Sequence, residues 1–337
     1  MDRILSDKYP NHGDGDMIPS FRNVALALIA LSAVLLCSRW SSAQTDRLDV
    51  TLDWLPSPEY YGFYYAVAKG VYNRAGLQVT FRNASGAPVV AAQLGAGSIP
   101  VGSTTSDNVL RQAAQGVRFS RLVPLMLFNP VSIVSLARKP INRVSDLHGV
   151  TLGTNPQTST YAQFEYLLRL NNVSPGTIKE YPIGFGGAAQ LLSGEVDAFL
   201  AYTTNQAVDV ELRDPNAVEL LFEESGLRTY GLVLCVIPSS KLTDDVADRF
   251  IHASLEGYRL GASDINEATA ILRKAEPTLN PQKVSAAISK LTKRNHQASA
   301  TVPSDLDAWV SLPSGARASI RDELRALYQA GLSQWPH

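Results

Sequence analysis

Three aromatic side chains crowd one short stretch, Asp53-Trp54-Leu55-Pro56-Ser57-Pro58-Glu59-Tyr60-Tyr61, and their chemistry is stacking and hydrogen bonding. Trp54 and Tyr61 offer a flat ring a large contact area at little entropic cost, and Tyr60 adds a hydroxyl that donates or accepts. Hydroxyls gather again at Thr104 and Thr105 and at Thr158 and Ser159, each pair just ahead of a helical pattern. There they cap the helix or, with its free amides, hold a polar or acidic ligand group. Tyr202 and Asn205, after an apolar run, and Phe185, within Gly184-Phe185-Gly186-Gly187, complete the candidate binding set.

Other chemistries find little support. Asp53 and Glu59 resemble an acid pair, but no nucleophile or metal accompanies them, and they read as solvated loop acids. Five histidines, at 12, 148, 252, 296 and 337, have no ligand spacing, and the two cysteines, Cys37 and Cys235, make neither a disulfide framework nor a metal site. No G-x-S-x-G elbow occurs, and Gly184–Gly187 is an incomplete dinucleotide fingerprint. No catalytic residue, metal or cofactor is expected.

The elements that must hold these side chains are α/β in pattern. Leu48, Val50 and Leu52 alternate with polar residues as a half-buried strand, and two prolines in three residues, Pro56 and Pro58, force a loop after it. Helical spacing from Tyr60 to Val71, broken by Gly70 and Gly76, leads to a second strand at Leu77–Phe81. Further on, strand, hydroxyl-rich loop and helix recur at 99–115 and at 150–171, one in each half, which suggests two α/β lobes with the site at strand carboxyl ends. A strand is also expected at 231–237. From Asp244 the chain reads as helices at 244–262, 264–275, 281–294 and 316–330, punctuated by Pro277, Pro281 and Pro303.

A chain of 337 residues with 45% hydrophobic composition can bury two cores. Thirty basic against 31 acidic side chains, with no basic stripe, argue against nucleic acid and for a small-molecule partner. Residues 24–36, an uncharged apolar run followed by Ser41-Ser42-Ala43, read as a secretory signal within 1–43, cleaved after Ala43, with Met17 as a better-formed start. The run is short for a membrane span. Lipid attachment at Cys37 is disfavoured by the large Leu36 before it.

The order D-W-x-P, then G-x-Y-x-A-x-x-K-G-x-Y-x-x-x-G-L-x-V (Asp53 to Val79), together with G-F-G-G-A-A-Q-L-L-S-G-E-V-D-A (Gly184 to Ala198), resembles the solute-binding proteins related to the thiamine-pyrimidine synthases. That superfamily also includes binding proteins for nitrate, sulfonates, taurine and riboflavin. The resemblance implies an α/β, two-lobe periplasmic-binding-protein-like fold of type II, with two crossing hinge strands near 131–138 and 230–237 and a helical C-terminal part. Lobe one would be 46–132 plus 236–337, and lobe two 133–235.

It further implies a monomeric periplasmic protein that closes on its ligand and delivers it to the permease and ATPase of an ABC importer. The favoured ligand is a pyrimidine or thiamine-precursor-like heterocycle, followed by sulfonate, nitrate or taurine-type anions. A pyrimidine-synthase-like enzyme on the same scaffold is the rival, and a sensor module a third reading. The synthases' first-loop histidine is replaced by Glu59-Tyr60-Tyr61, and their cysteine-rich iron-binding run is missing. Related pyrimidine binders often carry Asn-Glu where this chain has Asn205-Gln206.

Overall fold

In the computed structural model, residues 45–298 and 317–334 are described. The expected signal segment, with Met17 and Cys37, lies outside them. Among the described residues no helix is long and apolar enough to cross a membrane.

Alternation makes the first strand: in β1 (Asp46–Leu52), Leu48, Val50 and Leu52 are buried while Arg47 and Asp49 are exposed. The prolines end it, and a 3-10 turn at Pro58–Tyr60 leads into α1 (Tyr61–Ala68), α2 (Val71–Arg74) and β2 (Leu77–Asn83). Next come α3 (Ala87–Gly95), β3 (Val101–Thr105), α4 (Ser106–Ala114), β4 (Arg121–Pro124) and β5 (Val131–Ser135). The second half brings β6 (Thr151–Thr154), α5 (Ser159–Leu170), β7 (Lys179–Pro182), α6 (Ala188–Ser193), β8 (Ala198–Tyr202), α7 (Gln206–Glu211) and β9 (Val218–Leu221). After β10 (Leu232–Val236) the chain is helical: α8 (Asp244–Ser263), α9 (Ile265–Ala275), α10 (Pro281–Gln297) and α11 (Arg317–Leu332).

Two five-stranded sheets result, in the orders β2-β1-β3-β10-β4 and β7-β6-β8-β5-β9. The order within each is the same: second, first, third, then a strand arriving from the other lobe, then fourth. Those arriving strands, β10 and β5, run antiparallel to both neighbours. Both of these strands are buried on both faces: β10 is a continuous apolar run, and β5 sets Ser132 and Ser135 among Val131, Ile133 and Val134. In β10, Leu232, Leu234 and Val236 enter one core and Val233 and Cys235 the other.

The chain passes between sheets at 125–130 and 222–231, just ahead of the expected crossings. Val131–Ser135 and Leu232–Val236 are themselves strands of opposite sheets, so the first lobe's return begins at Leu232 rather than 236.

The C-terminal helices start at side chains that relieve free amides: Thr243, Asp264 and Asn280 accept from the backbone of Val246, Glu267 and Lys283. α8 then packs on α1 with almost no separation. A Cβ at Gly62 would lie 2.2 Å from the Tyr258 ring, and one at Gly257 would lie 2.3 Å from the Gly62 carbonyl. This approach brings the Tyr258 hydroxyl within 2.7 Å of the Glu59 carbonyl, which it donates to, and so fixes the loop after β1.

Candidate functional site

The carboxyl ends of the parallel strands of both sheets face one cleft of about 760 Å³, its open mouth included. Lobe one contributes Asp53 and Trp54 after β1, Glu59 and Tyr60 of the 3-10 turn, and Thr105 at the end of β3. Opposite them, lobe two presents Thr158 and Ser159 at the start of α5, Phe185 after β7, and Tyr202 and Asn205 at the end of β8.

Three of the contacts between the lobes lie around the cleft. The Trp54 and Phe185 rings meet edge to face, 5.2 Å between centroids at 78°. Asn205 Nδ2 donates to Ser57 Oγ at 3.0 Å. Gln163 Nε2, on α5, donates to Asp107 Oδ1 at 3.3 Å. Behind the cleft Asn129 ties the two crossing segments together, donating to the Leu227 carbonyl and to Gln163 Oε1, both at 3.0 Å.

The floor is acidic. Asp53 Oδ1 accepts from Ser103 Oγ at 2.6 Å and from the Tyr60 hydroxyl at 3.0 Å. Burial pushes this carboxyl above its ordinary range, with the two hydroxyls working the other way. Glu59 Oε2 accepts from the Ser57 hydroxyl; only 5% of the residue is exposed, and burial pushes its carboxyl up to about 7. Asp107, in the first turn of α4, accepts from Thr105 and from Arg111, and burial raises it too. Among the described residues no three His, Cys, Asp or Glu side chains gather where they could hold a metal ion.

Two expected site residues are not on the cleft wall. Tyr61 points into lobe one, its ring edge-on to Tyr258 at 4.9 Å and its hydroxyl donating to the Tyr258 carbonyl. The reason is helical phase: as the first residue of α1 it faces α8. Thr104 lies inside β3, which extends through the stretch expected as a loop, and its hydroxyl donates to the Ala87 carbonyl. Asp53 and Glu59 are not solvated loop acids either, because α8 and the β3 hydroxyls enclose them. Ser57, the partner of both Glu59 and Asn205, was not singled out in the sequence. Its signal was only its place between two prolines.

A model of the family described as NMT1/THI5 like matches residues 57–268. The chain belongs to that family. A putative thiamine biosynthesis protein of Haemophilus influenzae is 20% identical over 66% of this chain and 71% of its own length. The riboflavin-binding protein RibY of Chloroflexus aurantiacus is 24% identical over 67% and 66%. A 4-amino-5-hydroxymethyl-2-methylpyrimidine phosphate synthase of Schizosaccharomyces pombe is 22% identical over 50% and 48%. Among solved structures, the periplasmic aliphatic sulphonate binding protein SsuA of Escherichia coli superposes with a TM-score of 0.59 at 15% identity, covering 87% of this chain and 92% of that one. The alkanesulfonate-binding protein SsuA of Xanthomonas axonopodis pv. citri, bound to MOPS, gives 0.56 at 15%, covering 86% and 94%. This NMT1/THI5-like chain therefore has the two-lobe α/β periplasmic-binding-protein fold.

Proposed function

We propose that the chain is the extracytoplasmic solute-binding component of an ABC importer, a monomer that captures a small flat heterocycle between its lobes. The observation that carries this reading is the pairing of Trp54 and Phe185 from opposite lobes over a cleft built from strand carboxyl ends. Two rings on separate lobes close on a planar solute only when the lobes close, which is the hinge motion of binding proteins. The closed form would then be the one a permease and its ATPase recognise, in the periplasm to which the N-terminal signal directs the protein. Pyrimidines and thiamine precursors lead as ligands; a thiamine-biosynthesis and a riboflavin-binding relative support a ring of that kind.

Anions stand second, and the geometry weakens them. Of the two hydroxyl pairs thought to cradle an oxyanion, Thr104 is bonded to Ala87 and Thr105 to Asp107, which itself occupies the first turn of α4. The synthase-like reading has a relative in the fission-yeast enzyme. Against it, Cys235 lies wholly buried in β10, where the thiol meets no solute.

A thermal-shift screen with pyrimidines, thiamine, riboflavin, sulfonates and nitrate tests the proposal. A ligand that binds only the folded state adds about 2.7 kcal/mol at a hundred times its Kd. One class is expected to raise the melting temperature in the wild type and not in Trp54→Ala. Chemical turnover of a shifting ligand sinks the transport reading.

A further inference from the structure

One helix of the first lobe reaches from the crossing segments to the mouth of the cleft. Val284, Ile288 and Leu291 anchor α10 in the first core, so it moves with that lobe. Its carboxyl end grips the crossings. Asn295 accepts from the Leu127 amide at 2.9 Å and donates to the Leu125 carbonyl at 2.8 Å, both in the first crossing. Arg294 lies over the Phe128 ring, 5.7 Å from its centroid, and pairs at 3.2 Å with Glu223, which opens the second crossing and also accepts from the Asn129 amide. The amino end of α10 stands at the mouth. There Lys283 shares an opening with Trp54, Leu55 and Phe185, and its ammonium meets Asp209 of the second lobe at 2.7 Å. Only 15% of the Lys283 side chain is exposed. Lys290, between the two ends, pairs with Glu211 and Glu219.

From Lys283 to Arg294 the helix rises by roughly 16 Å. A lobe rotation of about 20° at the crossings carries a group that far out through about 5 Å, and a group beside the axis through about 1 Å. The Arg294 and Asn295 contacts survive such a swing, and the Lys283 pair does not. We infer that α10 is pivot and latch in one rigid element: Arg294 and Asn295 hold the hinge in every state, and the Lys283–Asp209 pair holds the empty lobes shut. The inference rests on the lobes moving as solute capture requires. An empty chain that is held shut takes up solute through its open fraction alone, so the latch sets how much of the protein stands ready to bind. Water receives both charges when the pair parts, which lets the latch bias the equilibrium without locking it.

The test is pulsed electron spin resonance on the empty protein, with nitroxides at Ser85→Cys and Gln157→Cys and with Cys37→Ser throughout. Both labelled positions are exposed, and they adjoin Gly86 and Thr158 on opposite walls of the cleft. Cys235 is wholly buried and takes no label. The parent protein is expected to show mostly the shorter distance between labels. Lys283→Ala is expected to add a population longer by about 5 Å or more and to raise the open-to-closed ratio about fivefold, as for the loss of one partly buried ion pair. Exchanging the charges, Lys283→Asp with Asp209→Lys, is expected to restore the shorter distance, which a merely disturbed fold would not do. In Arg294→Ala the distances are expected to broaden without the longer one gaining. An unchanged distribution in Lys283→Ala, or a charge exchange that stays open, overturns the latch. Lengthening in Arg294→Ala equal to that in Lys283→Ala overturns the division between pivot and latch. No solute enters these measurements, so the thermal-shift panel judges solute binding separately.

Discussion

Asn205 and Ser57 meet across the cleft at 3.0 Å, one on the loop after β8 and the other between the prolines that end β1. The bond exists only while the lobes are together. Asn205→Ala is therefore expected to weaken the best ligand of the thermal-shift panel by about fivefold, the equivalent of one hydrogen bond of ~1 kcal/mol, with little effect on urea stability. Titration calorimetry beside a denaturation curve separates the two, and a loss confined to stability contradicts the assignment.

Glu59 makes the free protein sensitive to alkali. Its carboxyl rises from an ordinary 4.5 to about 7 in the folded protein, so the folded state holds its proton more tightly than the unfolded chain. The resulting stability is fully present below pH 4.5 and is lost as pH climbs through about 7. Asp53 is shifted in the same direction, also by burial. Urea denaturation at pH 4.5 and 8.5 is expected to show Glu59→Gln gaining on the wild type by about 3 kcal/mol between the two. A parallel pH profile for the two proteins rejects this account.

α10 carries a second tie between lobes. Val284, Ile288 and Leu291 sink into the first lobe's core, while Lys283, Lys290 and Arg294 reach Asp209, Glu211, Glu219 and Glu223 of the second. Burial raises the Glu219 carboxyl, but the Lys290 charge, the Lys290 hydrogen bond and smaller hydroxyl contributions together outweigh this and leave it below the ordinary range. Lys290→Ala strands that carboxylate and is expected to cost about 2 kcal/mol at neutral pH, with the loss shrinking as acid protonates Glu219. Small-angle scattering of the free protein should report a larger radius of gyration when Lys283, Lys290 and Arg294 are all replaced by alanine, and 0.5 M salt should move the wild type the same way.

Gly62 is a packing residue with a functional reach. Gly62→Ala drives a methyl into the Tyr258 ring, and the helices must part. A loss of about 1–3 kcal/mol in denaturation is expected, as for other overpacked cores. Tyr258→Phe, which keeps the packing and removes the donor to the Glu59 carbonyl, should spare most of the stability and still lower ligand affinity.

Much of this fold was legible because periodicity and punctuation agree along the chain. Proline ends β1, glycines end the helices after it, and Thr243, Asp264 and Asn280 mark helix starts within a residue of where they occur. β9 gave no such signal: Val218-Glu219-Leu220-Leu221 is too short to alternate convincingly, and its glutamate is held in the sheet by a lysine far along the sequence. The site was legible as a set of loops and less so as a set of side chains. Trp54, Tyr60, Phe185, Tyr202 and Asn205 line the cleft because each ends or follows a strand. Tyr61 and Thr104 turn away, since one residue of helical or strand phase decides which face a side chain takes. The burial of Asp53 and Glu59 depends on α8, two hundred residues downstream in order of magnitude, and no local pattern announces it.

The strand order β2-β1-β3-β10-β4 also sets a timetable for a chain that emerges from its N-terminus. The second sheet draws on strands from Val131 to Leu221 alone, so it can be completed as soon as that stretch is made. The first sheet begins at Asp46 yet lacks its fourth position until Leu232–Val236 appears, and its outer helices come later still. Until then β3 and β4 have an open edge between them, a template for wrong pairing. The half that is started first is finished last, and a holding chaperone that shields residues 46–124 has the longest task on this polypeptide.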